Sequence, residues 1–145
     1  MIFIFDIDGT VADASHRLHF IQQNPKDWKS FYLACAEDKP IWEVITIVKA
    51  LAPRYSIVFI TGRSDEIRTQ TYKWLNDYEI CLGELLMRKE NDHREDAVVK
   101  SELLDRLEVM YPEEKVAGIF EDRTKCVDMY RVRGLRVFQV ADGDF

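Results

Sequence analysis

The sequence opens with Ile2-Phe3-Ile4-Phe5, an apolar run that stops at the polar stretch Asp6-Ile7-Asp8-Gly9-Thr10. A short, uninterrupted apolar run is typical of a strand that is buried on both faces of a parallel sheet. The same pattern returns at two later places: Ser56–Ile60 before Thr61-Gly62-Arg63, and Val116–Phe120 before Glu121-Asp122-Arg123. The sequence therefore predicts three buried strands, each of which ends in polar side chains.

The segments between these strands have the apolar spacing of helices. Two weaker strand patterns occur at Glu84–Met87 and Leu135–Val140. Four helical patterns occur at Ile41–Leu51, Ile67–Tyr78, Val99–Met110 and Cys126–Arg133. Strands that alternate with helices predict an α/β fold, here a parallel five-stranded Rossmann-like sheet with helices on both faces. Because ligands of such sheets bind beyond the carboxyl ends of the strands, we expect the polar residues there to form one site.

Residues 13–40 follow the first strand and break this alternation. Two short helices are predicted at His16–Ile21 and Trp28–Ala36, separated by Asn24-Pro25. We interpret this segment as a small helical, cap-like insert that lies over the site, within a single domain of residues 1–145. Its aromatic side chains either form a small core, which is the more common role, or provide a surface on which bases stack; they are Phe20, Trp28, Phe31 and Tyr32.

Length, charge and cysteine usage restrict the class of protein. A chain of 145 residues with a formal net charge of -6 is expected to bind nucleic acid or anionic membranes only through a local basic site. Cys35, Cys81 and Cys126 are scattered and include no C-x-x-C pair, which predicts reduced thiols. No stretch approaches the roughly 18 apolar residues of a membrane span, and no basic leader precedes Asp6. We therefore expect a cytoplasmic protein.

Asp6 and Asp8 provide two of the groups that hydrolysis of a phosphate ester requires. The reaction needs a nucleophile, a proton donor for the departing oxygen, cations around the phosphoryl oxygens and usually a divalent metal ion. A turn at Gly9, just beyond a strand, brings both carboxylates to one phosphoryl group. The same residues also occur in surface turns, but their position directly after a buried strand favours a catalytic role.

Four motifs in this order resemble those of the haloacid dehalogenase (HAD) superfamily. Asp6-x-Asp8-Gly9-Thr10 resembles the first motif, and Thr61 after an apolar strand resembles the second. Lys100 resembles the lysine of the third motif, and Glu121-Asp122 resembles the acidic pair of the fourth. The resemblance implies a phosphatase in which Asp6 becomes phosphorylated, while Asp8 protonates the leaving group and then activates water.

The resemblance also implies a set of binding residues. Thr61 would bind the phosphoryl oxygens, and Lys100 would neutralise the nucleophile and the phosphate. The implied ligands of Mg²⁺ are Asp6, the backbone carbonyl of Asp8, Asp122 and Glu121. His16, His19 and His93 lack metal-ligand spacing with any carboxylate cluster and are predicted to be non-catalytic.

A more extensive similarity links the chain, from Ile2 onward, to the 3'-phosphatase domain of bacteriophage polynucleotide kinase. The segments that carry it are Phe5–Ala12, Val58–Arg63, Asp96–Lys100, Glu121–Thr124 and Gln139–Phe145. It implies further phosphate- or substrate-binding positions beside Thr61 and Lys100: Thr10, Arg17, Gly62, Arg63, Arg88, Asp96 and Arg123. Glu121 stands where that relative has an aspartate, and the sequence has no G-x-x-x-x-G-K-[ST] loop, so no kinase domain is expected in this chain.

Three functions remain compatible with the sequence. The first is an enzyme that removes 3'-phosphates from polynucleotide ends, favoured by the extent of the similarity and by several arginines around the inferred site. The second is a phosphatase of nucleoside monophosphates, with the insert closed over a small substrate. The third is a non-catalytic binding module of the same fold, which the complete set of motif residues argues against. The expected partner is therefore a phosphorylated nucleic acid end or a nucleotide.

Overall fold

The computed structural model describes residues 1–80 and 83–145. Its strands are β1 (Ile2–Phe5), β2 (Ala12–Asp13), β3 (Lys39–Pro40), β4 (Ser56–Ser64), β5 (Glu84–Arg88), β6 (Val116–Glu121) and β7 (Val137–Gln139). Its α-helices are α1 (His19–Gln22), α2 (Trp28–Leu33), α3 (Trp42–Leu51), α4 (Arg68–Asp77), α5 (Asp96–Met110) and α6 (Thr124–Val132). Short 3-10 helices lie at Ser15–Arg17, Ala34–Glu37 and Asp65–Ile67.

β1 lies at the centre of the main sheet. The described residues form five strands in the order β5-β4-β1-β6-β7, and every neighbouring pair is parallel. This arrangement confirms the predicted α/β fold. The chain adds β4 and β5 on one side of β1 and then returns to add β6 and β7 on the other. The ends of β1, β4 and β6 therefore meet at the point where the strand order reverses, which is where such sheets bind ligands.

The sheet is covered on both faces, which explains the uninterrupted apolar sequence of β1. Phe5 packs in the core cluster that includes α3 and α4, whereas Ile4 packs in the cluster that includes α5 and α6. Both side chains are almost fully buried, and each such burial stabilises the fold by about 1.5–3 kcal/mol. The packing of β1 fixes the point at which the chain emerges from the core at Asp6.

The insert after β1 is helical, as predicted, but it is also closed at its base by a β-ribbon. Both helices are shorter than predicted: α2 lies within the predicted segment Trp28–Ala36, whereas α1 begins three residues later than predicted and ends one residue beyond Ile21. β2 pairs with β3 in antiparallel fashion, with Ala12 opposite Pro40 and Asp13 opposite Lys39. The ribbon was not predicted, because strands of two residues have no recognisable periodicity. It holds the two ends of the insert together beside the end of β1.

Two strands differ from the prediction by more than one residue. β4 continues to Ser64, past the predicted end at Ile60, because it keeps pairing with β5 across an irregularity between Thr61 and Ser64. β7 is shorter than predicted and is confined to Val137–Gln139. The irregularity places Thr61 and Arg63 at the edge of the sheet where β1 also ends.

The remaining sequence expectations concern cysteines and membranes. Cys35 and Cys126 are buried free thiols, as expected, and Cys81 lies outside the described residues. In the described part of the chain, no helix combines the length and the apolar character that crossing a bilayer requires.

Candidate active site

The turn after β1 presents Asp6 and Asp8 at the edge of the sheet. The backbone N–H of Asp6 donates to the carbonyl of Phe120 at 3.0 Å, which ties the end of β1 to β6. Gly9 has φ +83°, a conformation that favours glycine. A Cβ at Gly9 would lie 2.1 Å from Oδ2 of Asp122. Gly9 therefore allows both the turn and the close approach of a third carboxylate.

Lys100 lies at the centre of the buried charges. Its Nζ donates to Oδ1 of Asp6 at 2.8 Å and to Oε2 of Glu121 at 2.7 Å. Oδ2 of Asp96 lies 3.5 Å away, one helical turn earlier on α5. Burial alone would lower the pKa of Lys100, but the charges of Asp6 and Glu121 outweigh it and hold the pKa well above its usual value. A permanently charged lysine beside Asp6 is suited to neutralise a phosphoryl group there.

Three carboxylates next to Lys100 form a candidate metal site. Oxygen atoms of Asp6, Glu121 and Asp122 all lie within 4.8 Å of one another. Burial and the charge of Glu121 raise the pKa of Asp6, and burial and the charge of Asp6 raise the pKa of Asp122 to about 6. When ionised, these three carboxylates carry more negative charge than the single ammonium of Lys100 balances. A divalent cation with oxygen ligands, such as Mg²⁺, fits this surplus.

The members of this cluster are not equally available to a metal ion. Both carboxylate oxygens of Glu121 already accept hydrogen bonds, Oε2 from Lys100 and Oε1 from the backbone N–H of Arg123 at 3.1 Å. Among the described residues, no lysine or arginine forms a salt bridge with the carboxylate of Asp122, which is nonetheless buried. Asp6 and Asp122 are therefore the better candidates for direct ligands, with Glu121 holding Lys100.

Asp8 is bound by two arginines from different elements. Arg17, on the insert, donates from NH2 to Oδ1 of Asp8 at 2.7 Å. Arg63, at the end of β4, donates from NH2 to the same oxygen at 2.7 Å and from Nε to both oxygens at 3.1 and 3.2 Å. Burial would raise the pKa of Asp8, but the charges of Arg63 and Arg17 outweigh it and hold the pKa below its usual value. In this state Asp8 is a carboxylate anion.

Asp38 is a fourth member of this group, and the sequence analysis missed it. Its carboxylate accepts hydrogen bonds from both Arg17 and Arg63, and its side chain is completely buried. Asp38 lies in the run Glu37-Asp38-Lys39, which has the composition of a solvated surface turn. No local pattern separates it from its charged neighbours. Only the three-dimensional arrangement brings it to the site.

Arg88 and Asp96 link the loops that surround Lys100. Arg88 donates from Nε to the carbonyl of Gly62 at 2.8 Å and from NH2 to Oδ1 of Asp96 at 2.8 Å. It also donates from NH1 to the carbonyls of Asp92 and Arg94 at 3.2 and 2.7 Å. Most donors of Arg88 are therefore used within the protein. A Cβ at Gly62 would lie 2.0 Å from Oδ1 of Asp96, so a glycine permits this contact.

Arg123 lies beside the acidic cluster and contacts the C-terminal residues. Its Nε donates to the carbonyl of Phe145 at 3.0 Å, and its guanidinium lies over the ring of Phe145 at 5.1 Å. NH1 lies 3.5 Å from Oδ2 of Asp96. Gln139 donates from Nε2 to the carbonyl of Asp122 at 2.9 Å. The segment after β6 is thus held by contacts from the C-terminal part of the chain.

Two threonines complete the set of predicted residues. Oγ1 of Thr61 accepts the backbone N–H of Arg63 at 3.2 Å, which leaves the hydroxyl hydrogen of Thr61 to donate elsewhere. Oγ1 of Thr10 is buried and has no hydrogen-bond partner among the described residues. Buried hydroxyls without a full set of partners are uncommon in native structures, and both are consistent with an oxygen-rich ligand. Every predicted site residue thus lies at or next to one edge of the sheet.

The fold and the site together define a HAD-type phosphatase. A sheet of this topology places an aspartate pair after the first strand, a threonine in the C-terminal part of the neighbouring strand, a buried lysine on a helix and an acidic pair at the end of the strand on the other side. The sequence motifs predicted these roles separately. The structure brings them to one site.

The comparisons with known proteins define the family. Residues 1–145 match the family described as the polynucleotide kinase PNKP phosphatase domain, and the chain belongs to this family. It is also similar to a chain in the structure of the Pnkp1/Rnl/Hen1 RNA repair complex, with 31% identity and a TM-score of 0.82 over 99% of this chain and 43% of that one. A second structure of the Pnkp1/Rnl/Hen1 complex gives 32% identity and a TM-score of 0.82, covering 99% and 46% of the two chains. This chain thus spans less than half the length of these two relatives.

More distant structures share the fold. The haloacid dehalogenase-like hydrolase SP0104 from Streptococcus pneumoniae is 14% identical, with a TM-score of 0.69 over 95% of this chain and 83% of that one. The HAD hydrolase YfnB from Bacillus subtilis, solved with bound magnesium, is 10% identical, with a TM-score of 0.69 over 97% and 92% of the chains. At these identities the similarity concerns the fold alone.

Proposed function

We propose that this chain is a Mg²⁺-dependent phosphomonoesterase that removes 3'-phosphates from polynucleotide ends through an aspartyl-phosphate at Asp6. The observation that carries the proposal is the environment of Asp6: Lys100 donates to its Oδ1 at 2.8 Å, and the carboxylates of Asp122 and Glu121 lie beside it. Lys100 provides one fixed positive charge beside Asp6, and the acidic cluster is suited to bind a metal cation as the second. A phosphate ester bound there meets a nucleophile between two positive charges.

The reaction has two balanced steps. A carboxylate oxygen of Asp6 bonds to phosphorus while the bond from phosphorus to the 3'-oxygen breaks, and that oxygen takes a proton from Asp8. Asp8 then accepts a proton from water as the water oxygen attacks phosphorus, which releases orthophosphate and restores Asp6. Mg²⁺, held by Asp6, Asp122 and the backbone carbonyl of Asp8, would neutralise phosphoryl charge.

The arginines around Asp8 prepare this proton transfer. Without substrate they hold Asp8 as an anion, as its lowered pKa indicates. A phosphoryl group brings negative charge next to Arg17 and Arg63, which weakens their effect on Asp8 and favours its protonated form. Asp8 then donates to the departing 3'-oxygen. The same groups therefore bind phosphate and set the protonation of the acid.

A polynucleotide substrate is supported by the family and by the surface of the insert. The relatives named above include chains from an RNA repair complex. Trp28 on α2 is 43% exposed, and its ring lies 6.0 Å from that of Tyr32 between centroids, with 30° between the ring planes. Nζ of Lys26 lies 5.6 Å from the Trp28 ring. Two aromatic rings and a cation suit single-stranded nucleic acid, whose bases stack on aromatic faces.

A nucleoside monophosphate is the second candidate substrate. It is favoured by the direct participation of the insert, since Arg17 and Asp38 belong to residues 13–40 and contact the site. An insert that contributes side chains to the site is suited to enclose a small ligand. The net charge of -6 also disfavours long-range attraction of a polyanion.

Phosphate release from a panel of substrates tests the proposal. The panel contains a 3'-phosphorylated oligonucleotide, its 5'-phosphorylated counterpart and nucleoside 3'- and 5'-monophosphates, each with Mg²⁺ and with EDTA. We expect preferential, Mg²⁺-dependent release from the 3'-phosphorylated strand, weakened by salt, and at least about a 1,000-fold loss in Asp6→Asn. Asp77→Asn, an exposed change at the end of α4, is the control. Faster turnover of monophosphates would select the second candidate, and full activity of Asp6→Asn would refute the proposed nucleophile.

A further inference from the structure

Asp38 accepts more hydrogen bonds from charged side chains than its sequence context suggests. Arg17 donates to it twice, from Nε to Oδ1 and from NH2 to Oδ2, both at 2.8 Å. Arg63 donates from NH2 to Oδ2 at 2.7 Å, and Nε2 of His16 lies 2.7 Å from Oδ1. A two-point contact between a guanidinium and a carboxylate fixes the orientation of the guanidinium plane as well as its position.

Asp38 and Asp8 bind the same two arginines. NH2 of Arg17 contacts both Oδ2 of Asp38 and Oδ1 of Asp8, and NH2 of Arg63 contacts the same two oxygens. Two carboxylates and two guanidiniums thus form a closed group in which the formal charges cancel. A buried group of this kind is stable only while each charge keeps its partners.

The two carboxylates differ in how firmly they are held. The side chain of Asp38 is fully buried, whereas that of Asp8 is 29% exposed. The backbone carbonyl of Asp38 accepts Nε1 of Trp74 at 2.9 Å, and its N–H donates to the carbonyl of Cys35 at 3.2 Å. These contacts anchor Asp38 to α4 and to the insert. Asp8 is the partner that faces the reacting atoms.

We propose that Asp38 is a positioning residue of this phosphatase, which holds Arg17 and Arg63 in place beside Asp8 during the reaction. The proposal rests on the function proposed above. Because Asp38 is fully buried and binds both guanidiniums, it keeps them oriented when a phosphoryl group enters the site next to Asp8. Both arginines can then contact the phosphoryl group and Asp8 in one fixed geometry.

Asp38 also connects two separate elements of the fold. Arg17 belongs to the insert and Arg63 to the end of β4, and Asp38 contacts both. It therefore sets the position of the insert relative to the edge of the sheet. The guanidinium of Arg17 also lies 4.4 Å from the ring of Phe31, which supports it from the other side.

Asp38→Asn tests the proposal, with Glu37→Gln as a matched control. Asparagine keeps the shape of the side chain but removes the charge, and Glu37 is the exposed acidic neighbour. We expect kcat to fall about 10-fold or more in Asp38→Asn while KM changes less than about 3-fold, because asparagine still places an oxygen beside both arginines and leaves them able to bind phosphate, whereas their orientation toward Asp8 is loosened. We expect Glu37→Gln to match the wild type. Circular dichroism and thermal unfolding establish that both variants are folded.

A double-mutant cycle separates positioning from a general structural effect. If Asp38 acts through both arginines, Asp38→Asn costs less activity in an Arg17→Ala background than in the wild type, because one of the two groups it orients is absent. Equal losses in both backgrounds, or a folded Asp38→Asn protein with kcat within about 2-fold of the wild type, would overturn the proposal.

Asp38→Glu decides the question if Asp38→Asn does not fold. It keeps the buried charge but shifts the carboxylate by one methylene, so we expect a folded protein with kcat reduced about 5-fold or more. Wild-type kcat in this variant would contradict the proposal. All these comparisons use the phosphate ester that the wild type hydrolyses best in an Asp6-dependent manner. A failure of 3'-end preference therefore refutes the substrate and leaves the test of Asp38 intact.

Discussion

Gly9 has a specific steric role next to Asp6, the proposed nucleophile. It adopts φ +83°, and a Cβ there would lie 2.1 Å from Oδ2 of Asp122, within the acidic cluster. Gly134 has a similar φ of +80°, but no atom lies within 4 Å of the Cβ position. The two glycines therefore share the backbone requirement and differ only in the contact with Asp122.

This pair gives a prediction at the scale of single residues. We expect Gly134→Ala to lower the free energy of unfolding by about 1 kcal/mol, the cost of a left-handed conformation for alanine. Gly9→Ala is expected to cost about 2 kcal/mol more and to abolish most Mg²⁺-dependent activity, because Asp122 must move. Denaturant unfolding and Mg²⁺ titrations of activity measure both effects. Equal losses of stability and activity in the two variants would contradict the steric role of Gly9.

The sequence predicted single residues where a local motif surrounds them. Asp6, Asp8 and Thr61 each follow an apolar strand, and that position alone indicates the edge of the sheet. Asp38 has no such context, since it precedes a two-residue strand and reaches the site only because the insert folds back. A buried charge network of this kind depends on the packing of distant segments, which single-sequence patterns do not encode.

The elements around the site differ in how well the sequence specifies them. β1, β4 and β6 were predicted at their N-terminal ends because buried strands have a simple apolar pattern. The end of β4 was not, since pairing with β5 beyond Thr61 depends on tertiary contacts. The β2–β3 ribbon was missed for the same reason. The insert is thus the part of the fold that the sequence defines least, and it also provides Arg17 and Asp38.

Helix α2 of the insert gives a prediction about substrate length. Trp28 lies over Tyr32. Burial raises the pKa of Tyr32, and the charges of Asp8 and Asp96 in the site raise it further. We expect Trp28→Ala to lower kcat/KM for a 3'-phosphorylated oligonucleotide about 5-fold or more, as the loss of one stacked base implies. Turnover of a nucleoside 3'-monophosphate should change little. Initial rates over a series of strand lengths measure the difference.

Trp42 provides the control for this experiment. It is 54% exposed, lies at the start of α3 and has Nζ of Lys49 5.8 Å from its ring, which resembles the pairing of Trp28 with Lys26. It packs edge-to-face against Tyr78 and not against the insert. Trp42→Ala should therefore leave the length dependence unchanged. If both variants behave alike, or if Trp28→Ala affects monomers and strands equally, α2 does not bind the strand.

At the scale of the whole molecule, the main feature is the distribution of charge in the buried site. In one half of the site the formal charges cancel, and in the other half negative charge is in excess. The group formed by Asp8, Asp38, Arg17 and Arg63 contains two formal charges of each sign. On the other side of the site, Lys100 is surrounded by several carboxylates, so negative charge is in excess. The first half explains why the fold tolerates buried arginines. The second half links folding to pH and to metal binding.

The carboxylates around Lys100 predict how stability depends on pH in the metal-free protein. Burial raises the pKa of Asp122 to about 6 and, with the charge of Glu121, also raises the pKa of Asp6. In the unfolded chain both groups titrate near pH ~3.9. Between that pH and the folded pKa values, the folded state binds more protons than the unfolded state. The free energy of unfolding therefore falls as the pH rises through this range.

Asp8 and Asp96 contribute with the opposite sign but in a different range of pH. Their pKa values are lowered, so the stability that they provide is present above pH ~4 and is lost only at more acidic pH. The fall in the free energy of unfolding from pH 5 to pH 8 therefore arises from the titration of the acidic cluster. We expect Mg²⁺ to reduce it, because a divalent cation replaces the protons that the cluster retains.

Thermal unfolding in EDTA and in Mg²⁺, for the wild type and for Asp122→Asn, measures this link. We expect the wild type in EDTA to lose on the order of 2 kcal/mol between pH 5 and pH 8, and to lose less in Mg²⁺. Asp122→Asn removes one of the raised carboxyls, so its Tm in EDTA should depend less on pH and should respond little to Mg²⁺. Asp128→Asn, on α6 outside the cluster, should behave like the wild type. A wild-type Tm in EDTA that stays constant or rises over this range would show that Asp6 and Asp122 do not have raised pKa values in the folded protein, and would count against a metal ion at these two carboxylates.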